Sequence, residues 1–325
     1  MEGRAVTLAP WLDETWRSLA ARLAADRLPH ALLVAGAAGL GKRALVDAFA
    51  RAILCESREM DGHACGHCRG CRLLVAGSHP DRIDVGLETR DDGKVRSEIV
   101  VDQIRALSQR LALASQFGGR QVAVIDPADA MNTSTANALL KTLEEPTAST
   151  LIVLVADRAT RLPATIRSRC QRIDVQAPPA AQAQAWLRTQ GVAAAKVDAA
   201  LVAMLGNPGQ ALAAAQGDAL ELRAACTRDL AELRRGGSAL AMADAWVADR
   251  PAERLWHAAV VVRDEACQLA RGTRGPLGLT DPGEIPKLVA WFAAANRARE
   301  QLDTPLRSEL VVLELLHGWP SSRRT

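Results

Sequence analysis

An α/β domain built on a parallel sheet, followed by helical segments, is the fold class this sequence predicts. Three observations predict it. Short apolar runs bounded by turn residues alternate with segments of helical apolar spacing through the first half of the chain. A glycine-rich stretch lies between the first such run and the helix after it. Beyond QRIDVQAPP (171–179), two prolines break the chain and alanine-rich helical segments take over.

The elements follow in order. HALLVAG (30–36) reads as a strand and KRALVDAFARAIL (42–54) as a helix. VVDQIRALSQRLAL (100–113) is a second helix, and RQVAVIDPAD (120–129) a buried strand ending in turn residues. From Asn132 to Glu145, Ala136, Leu139, Leu140 and Leu143 recur at helical spacing; Asn132, Thr133 and Ser134 supply caps and Pro146 a stop. TLIVLVAD (150–157) is another buried strand. Helices are expected over 180–190, 197–205 and 209–216, with helical structure from there to about Trp319. The expected domains are 1–176, 177–217 and 218–325.

Composition narrows the class. The 325 residues are 49% apolar, enough for packed cores and too apolar for a disordered chain. The 40 basic residues comprise 35 Arg and 5 Lys, and Tyr is absent, so a lone arginine says little about function. A formal charge of +3 is too slight for bulk attraction to nucleic acid. No apolar run approaches the ~18–20 residues of a membrane span. The first residues carry acids and no apolar block of signal-peptide type, so a soluble intracellular protein is expected.

Gly36-Ala-Ala-Gly39-Leu-Gly41-Lys42 fits G-x-x-x-x-G-K between a strand and a helix. Backbone N–H groups and a helix N-terminus there can cradle phosphate, with the lysine on its oxygens. The next position, however, is Arg43, where the motif needs Ser or Thr to ligate Mg²⁺. Asp126 ends a strand as the second nucleotide element would, but Pro127 replaces the acid that orients attacking water. Two separate requirements of hydrolysis are missing. ATP turnover is therefore not expected, while passive nucleotide binding through Gly36, Gly39, Gly41, Lys42 and Asp126 stays open.

Of seven cysteines, Cys55, Cys65, Cys68 and Cys71 fall within 17 residues. The C-x2-C steps let thiolates share one tetrahedral Zn²⁺, and four soft ligands favour zinc over hard cations. Redox-active or simply buried thiols are the alternative. His63 and His67 are reserve ligands, and Arg58, Arg69 and Arg72 are close enough in sequence to offset the thiolate charge. A four-thiolate site has no open position, so such a zinc is structural.

The degenerate loop, ACGHCRGC (64–71), AGSHPD (76–81), NALLKTLEEP (137–146) and IRSRC (166–170) occur in this order. Together they resemble the clamp-loader subunits of bacterial DNA polymerase III, members of the AAA+ superfamily. The likeness is strongest over about 28–180 and favours the δ′ branch over the γ/τ motors. It implies an α/β AAA+ (P-loop NTPase-like) domain with a zinc insert (55–71), a small helical lid and an all-α collar. It further implies a non-hydrolysing cytoplasmic member of the polymerase III holoenzyme. Implied partners are γ/τ and δ subunits, the β sliding clamp indirectly and primer–template DNA.

In γ-type motors the lid carries an Arg that senses nucleotide; here Gly209 stands in its place, and the strand-end polar residue falls near Ala156, also lost. By the same resemblance Arg169 of Ser168-Arg169-Cys170 is an arginine finger reaching ATP in a neighbouring γ/τ subunit. Lys141, Glu144 and Glu145 either present charge to that neighbour or form a solvated helix face. Two other classes compete: a γ-like ATPase motor, opposed by Arg43, Pro127 and Gly209, and a zinc-stabilised DNA-binding module. The latter lacks a basic stripe with interleaved aromatics, which are only 3% of residues.

Overall fold

The apolar runs of the first half become strands because each is buried on both faces, the environment of a parallel sheet covered by helices. In the computed structural model, which describes residues 7–320 apart from 91, 148 and 303, these elements run α1 (Asp13–Ala24), β1 (Ala31–Ala35), α2 (Lys42–Leu54) and α3 (Arg69–Val75). They continue as β2 (Arg82–Val85), α4 (Val101–Leu111), β3 (Gln121–Ile125), α5 (Thr133–Glu144), β4 (Thr150–Ala156), α6 (Ala164–Arg167) and β5 (Gln171–Asp174). The sheet is parallel throughout, in the order β2-β3-β4-β1-β5.

Side chains alternate across this sheet with period two, and each face has its own core. Leu33, Ile125, Ile152 and Leu154 pack with Ile104 and Leu107 of α4 and Leu139 and Leu143 of α5. Leu32, Val34, Val124 and Val153 pack on the other face with Leu19 of α1 and Leu45 and Phe49 of α2. The Asn132 side chain caps α5 by accepting from the Thr135 N–H, as its position before the apolar repeat predicts. Among the elements that escaped the sequence reading, which also include α1, α6 and β5, two show why. β2 has four residues with only Ile83 and Val85 apolar, and α3 lies within the cysteine run, where ligand spacing masks helical periodicity.

The chain divides into two compact units: Met1–Gln182 with Asn207–Gly209, and Ala183–Gly206 with Gln210–Thr325. The second unit comprises most of α7 (Ala180–Thr189), α8 (Ala194–Ala203), most of α9 (Pro208–Gln216), α10 (Ala219–Arg234) and α11 (Ala239–Ala248). α12 (Pro251–Ala270), α13 (Ile285–Gln301) and α14 (Ser308–His317) complete it. Two apolar clusters hold it together. One gathers Ala183, Leu187, Val197, Ala200, Leu201 and Ala211, and the larger one centres on Trp246, Val261, Leu288 and Trp291. Glu265, fully buried on α12, accepts the Leu277 and Leu279 N–H groups at 2.5 and 2.6 Å and so fixes the loop before α13. No helix among the described residues is long and apolar enough to cross a membrane.

His257 on α12 is 2% exposed; burial first, then the Arg223 and Arg250 charges, pull its imidazole down to about 4. An unfolded histidine titrates near ~6.5, so as pH falls below that value only the unfolded chain takes up this proton. Stability from neutral His257 is thus complete above about 6.5 and is lost on descending to about 4, by ~2–3 kcal/mol. Urea midpoints measured from pH 7 to pH 5 should fall more steeply for wild type than for His257→Gln. Parallel slopes would show that His257 does not drive the acid sensitivity.

Candidate functional site: a self-paired phosphate loop, a four-cysteine cluster and an outward arginine

The loop at the end of β1 keeps the backbone of a phosphate cradle. Gly36, Gly39 and Gly41 have φ of +152°, +86° and +84°, and a Cβ at Gly36 would lie 2.2 Å from the Val175 carbonyl oxygen. Glycine is required there by contact as well as by angle. Gly41 is the N-cap of α2, so the loop feeds directly into a helix N-terminus.

The charges in the cradle are already paired. Lys42, 1% exposed, places its Nζ 2.8 Å from the Ala37 carbonyl and 2.6 Å from Asp157 Oδ1. Arg43 donates from Nε to Asp126 Oδ2 at 2.7 Å, and its Nη2 lies 3.4 Å from Asp157 Oδ2. Burial alone would raise the Asp157 carboxyl, but Lys42 and Arg43 outweigh it and hold that group below the usual carboxylate range. The hydrogen bond to Asp126 prevails over burial and keeps the Arg43 guanidinium above its ordinary value. Asp126, the carboxylate that would face a Mg²⁺ shell, is thus bound to an arginine of its own chain. A triphosphate would have to displace Asp157 from Lys42, and a magnesium ion would have to displace Arg43 from Asp126.

Neighbouring segments brace the same loop. Asn207 donates from Nδ2 to the Ala38 carbonyl at 2.7 Å, and Trp11 from Nε1 to the Leu40 carbonyl at 2.9 Å. A Cβ at Gly209 would sit 2.0 Å from the Gly39 carbonyl oxygen. No side chain fits at that position.

The four cysteines converge. All Sγ atoms of Cys55, Cys65, Cys68 and Cys71 lie within 4.8 Å of one another, so the group could hold a metal ion. Cys55 and Cys65 are 3.6 Å apart, Cys55 and Cys68 3.9 Å, and Cys65 and Cys71 4.0 Å. Thiolates at ~2.3 Å from a tetrahedral zinc stand ~3.8 Å apart, which these separations match. Backbone N–H groups of Cys65, Cys68 and Cys71 point at Cys55, Cys65 and Cys68 sulfur at 3.3–3.4 Å. Hydrogen bonding led by the His67 N–H draws the Cys65 thiol down to about 6, while burial pushes Cys55 and Cys71 up.

Neither reserve histidine enters the group. His63 stacks on Trp16 with ring centroids 3.9 Å apart, and His67 uses Nδ1 on the Cys65 carbonyl. Arg69 lies over the Phe117 ring at 4.9 Å, and Arg58 donates to the Ala52 carbonyl at 3.4 Å.

Arg169 lies between α6 and β5, two residues before the strand begins. Its Nη1 donates to the Thr165 carbonyl at 3.0 Å and its Nη2 lies 2.6 Å from Glu144 Oε1, at the end of α5. Cys170 beside it is buried, its thiol pushed up to about 11 by that burial. Gln171, the first residue of β5, pairs with Leu32 near the start of β1, whereas the phosphate loop leaves the far end of β1 after Ala35. Arg169 consequently sits at the opposite end of the parallel sheet from its own chain's loop.

A family model described as DNA polymerase III, delta subunit, matches residues 11–179. The chain is 33% identical over 320 residues to DNA polymerase III subunit delta′ of Escherichia coli K12, covering 94% of this chain and 93% of that one. The chain belongs to the DNA polymerase III δ′ family. The δ′ subunit of Pseudomonas aeruginosa is 41% identical over 178 residues, 55% of this chain and 52% of its own. A crystal structure of a γ-subunit-related protein of Thermotoga maritima shares the fold, with a TM-score of 0.51 at 16% identity over 94% of this chain and 97% of that one. The δ′ reading of the motifs is thereby supported over the γ-like alternative.

Within this δ′ chain, one participant in the loop escaped the sequence reading. β4 ends at Ala156, one residue short of the strand expected over 150–157, and Asp157 just beyond it takes up Lys42. Its only sequence signal was a lone acid after an apolar strand. Lys141 on α5 and Glu145, the residue just after it, are exposed, while Glu144 has an intramolecular partner.

Proposed function

We propose that this chain is the non-hydrolysing stator of a bacterial clamp loader, cytoplasmic, that helps place the β sliding clamp on primed DNA. In this reading it assembles with γ/τ and δ subunits and meets primer–template DNA within the complex. Residues 177–217 serve as a lid and 218–325 as a collar for oligomerisation. Zinc held by Cys55, Cys65, Cys68 and Cys71 is structural, because four thiolates fill its coordination shell. Arg169 acts in trans on ATP bound to a neighbouring γ/τ subunit.

The observation that carries the reading is the self-paired loop: Arg43 on Asp126 and Asp157 on Lys42 occupy the groups a motor needs for Mg²⁺ and phosphate. The position of Arg169 at the other end of the sheet supports a role outside its own loop. The isolated chain is expected to turn over no ATP above background, with or without primed DNA. Turnover that vanishes in Lys42→Ala would overturn the stator and favour a motor. Native mass spectrometry with γ/τ and δ subunits should in turn yield one complex containing this chain.

A further inference from the structure

We propose that Glu144 is the positioning residue of Arg169, holding the guanidinium in the orientation from which it meets a neighbour's phosphates. This rests on the trans role of Arg169 given above. A surface arginine is ordinarily a rotamer-rich side chain, and ordering it on a ligand costs conformational entropy. Here the side chain is held at two points before any ligand arrives. The Thr165 carbonyl takes one N–H of Nη1, and Nη2 forms an ion pair with Glu144 Oε1 at 2.6 Å.

One of the five guanidinium N–H groups is thereby hydrogen-bonded, on a side chain that remains 36% exposed. The two anchors come from different places: Thr165 lies one helical turn back on α6, and Glu144 ends α5, which packs against α6. Together they fix the plane of the fork, which one contact would not do.

The negative charge of Glu144 works against a phosphate that approaches the same guanidinium. Its side chain is 49% exposed, and solvent screens such a charge strongly. The gain from pre-orienting a planar donor is not screened in that way, since it lies in geometry. Orientation is therefore the larger effect, and losing Glu144 slows the reaction.

The test is ATP hydrolysis and clamp loading by the complex reconstituted from the full chain, wild-type partner subunits, sliding clamp and primed DNA. Glu144→Ala is expected to lower kcat ~2- to 5-fold with KM for ATP unchanged, the scale of one exposed ion pair. Glu144→Gln, which keeps an oxygen acceptor at the same reach, should recover most of the rate. In a double-mutant cycle, Glu144→Ala should cost nothing further once Arg169→Ala is present, whereas a general structural defect would multiply. Wild-type or faster rates for Glu144→Ala, alongside a slow Arg169→Ala complex, would overturn the positioning role and leave the finger standing. Wild-type rates for Arg169→Ala itself would remove the trans role and this inference with it.

Discussion

Cys68→Ser is expected to abolish the one equivalent of zinc proposed for the wild-type chain and to loosen the segment from Cys55 to Cys71. Zinc binding by a structural site is worth ~10–16 kcal/mol in small zinc modules, and that free energy is folding free energy for the segment it organises. Besides the sulfurs, the segment is held by the His63–Trp16 stack and by single hydrogen bonds such as Trp16 Nε1 to the Asp61 carbonyl and Arg58 to the Ala52 carbonyl. Between α2 and α3 its backbone is irregular, and Met60 at its tip is fully exposed.

Serine is the informative substitution because Cys68 has two jobs. It is also the N-cap of α3, its sulfur accepting from the Cys71 N–H at 3.3 Å. Serine keeps that capping and removes only the soft ligand. Loss of helix capping therefore cannot account for the effect. Metal analysis and limited proteolysis of the purified variant provide the readout. Full zinc stoichiometry in Cys68→Ser would sink the four-cysteine assignment.

The second large effect is that of Arg169→Ala on the assembled complex. The transferring phosphoryl group develops negative charge, and a guanidinium fork stabilises it with directed N–H groups. Fingers supplied in trans contribute ~10³–10⁵ in rate in well-studied GTPases. A clamp loader has several motor sites, of which this chain would complete one, so the DNA- and clamp-stimulated ATPase of the whole is expected to fall by far less than that factor. Assembly should be unaffected, because Arg169 is partly exposed and its partners are one carbonyl and one exposed carboxylate. Arg169→Lys should rescue poorly, since an ammonium cannot reproduce the planar fork. A variant that assembles normally and hydrolyses ATP at wild-type rates would make Arg169 an ordinary surface residue.

What could be read before the fold was known follows the range of the interactions involved. The strands at 31–35, 121–125 and 150–156 were legible because burial on both faces demands unbroken apolar runs. β2 was not, since Arg82 and Asp84 alternate with its two apolar residues at the sheet edge. The four cysteines were legible because C-x2-C spacing fixes how closely two sulfurs can come. The exclusion of His63 was not, since its place was decided by Trp16 on another helix.

The sequence by itself determined that Arg43 stands where a metal ligand is needed, that Pro127 cannot act on water, and that Gly209 carries no side chain. These are properties of single residues at positions fixed by a local motif. Only the tertiary structure decided where the orphaned charges went. Asp157 reaches Lys42 from 115 residues away, Asn207 reaches the loop from 169 away, and Glu144 reaches Arg169 from the end of another helix. Each pairing depends on strand order and register, which bring together the ends of elements far apart in the chain. Local periodicity carries no information about such neighbours, because what selects them is the packing of the sheet and the cost of leaving a charge buried without a partner.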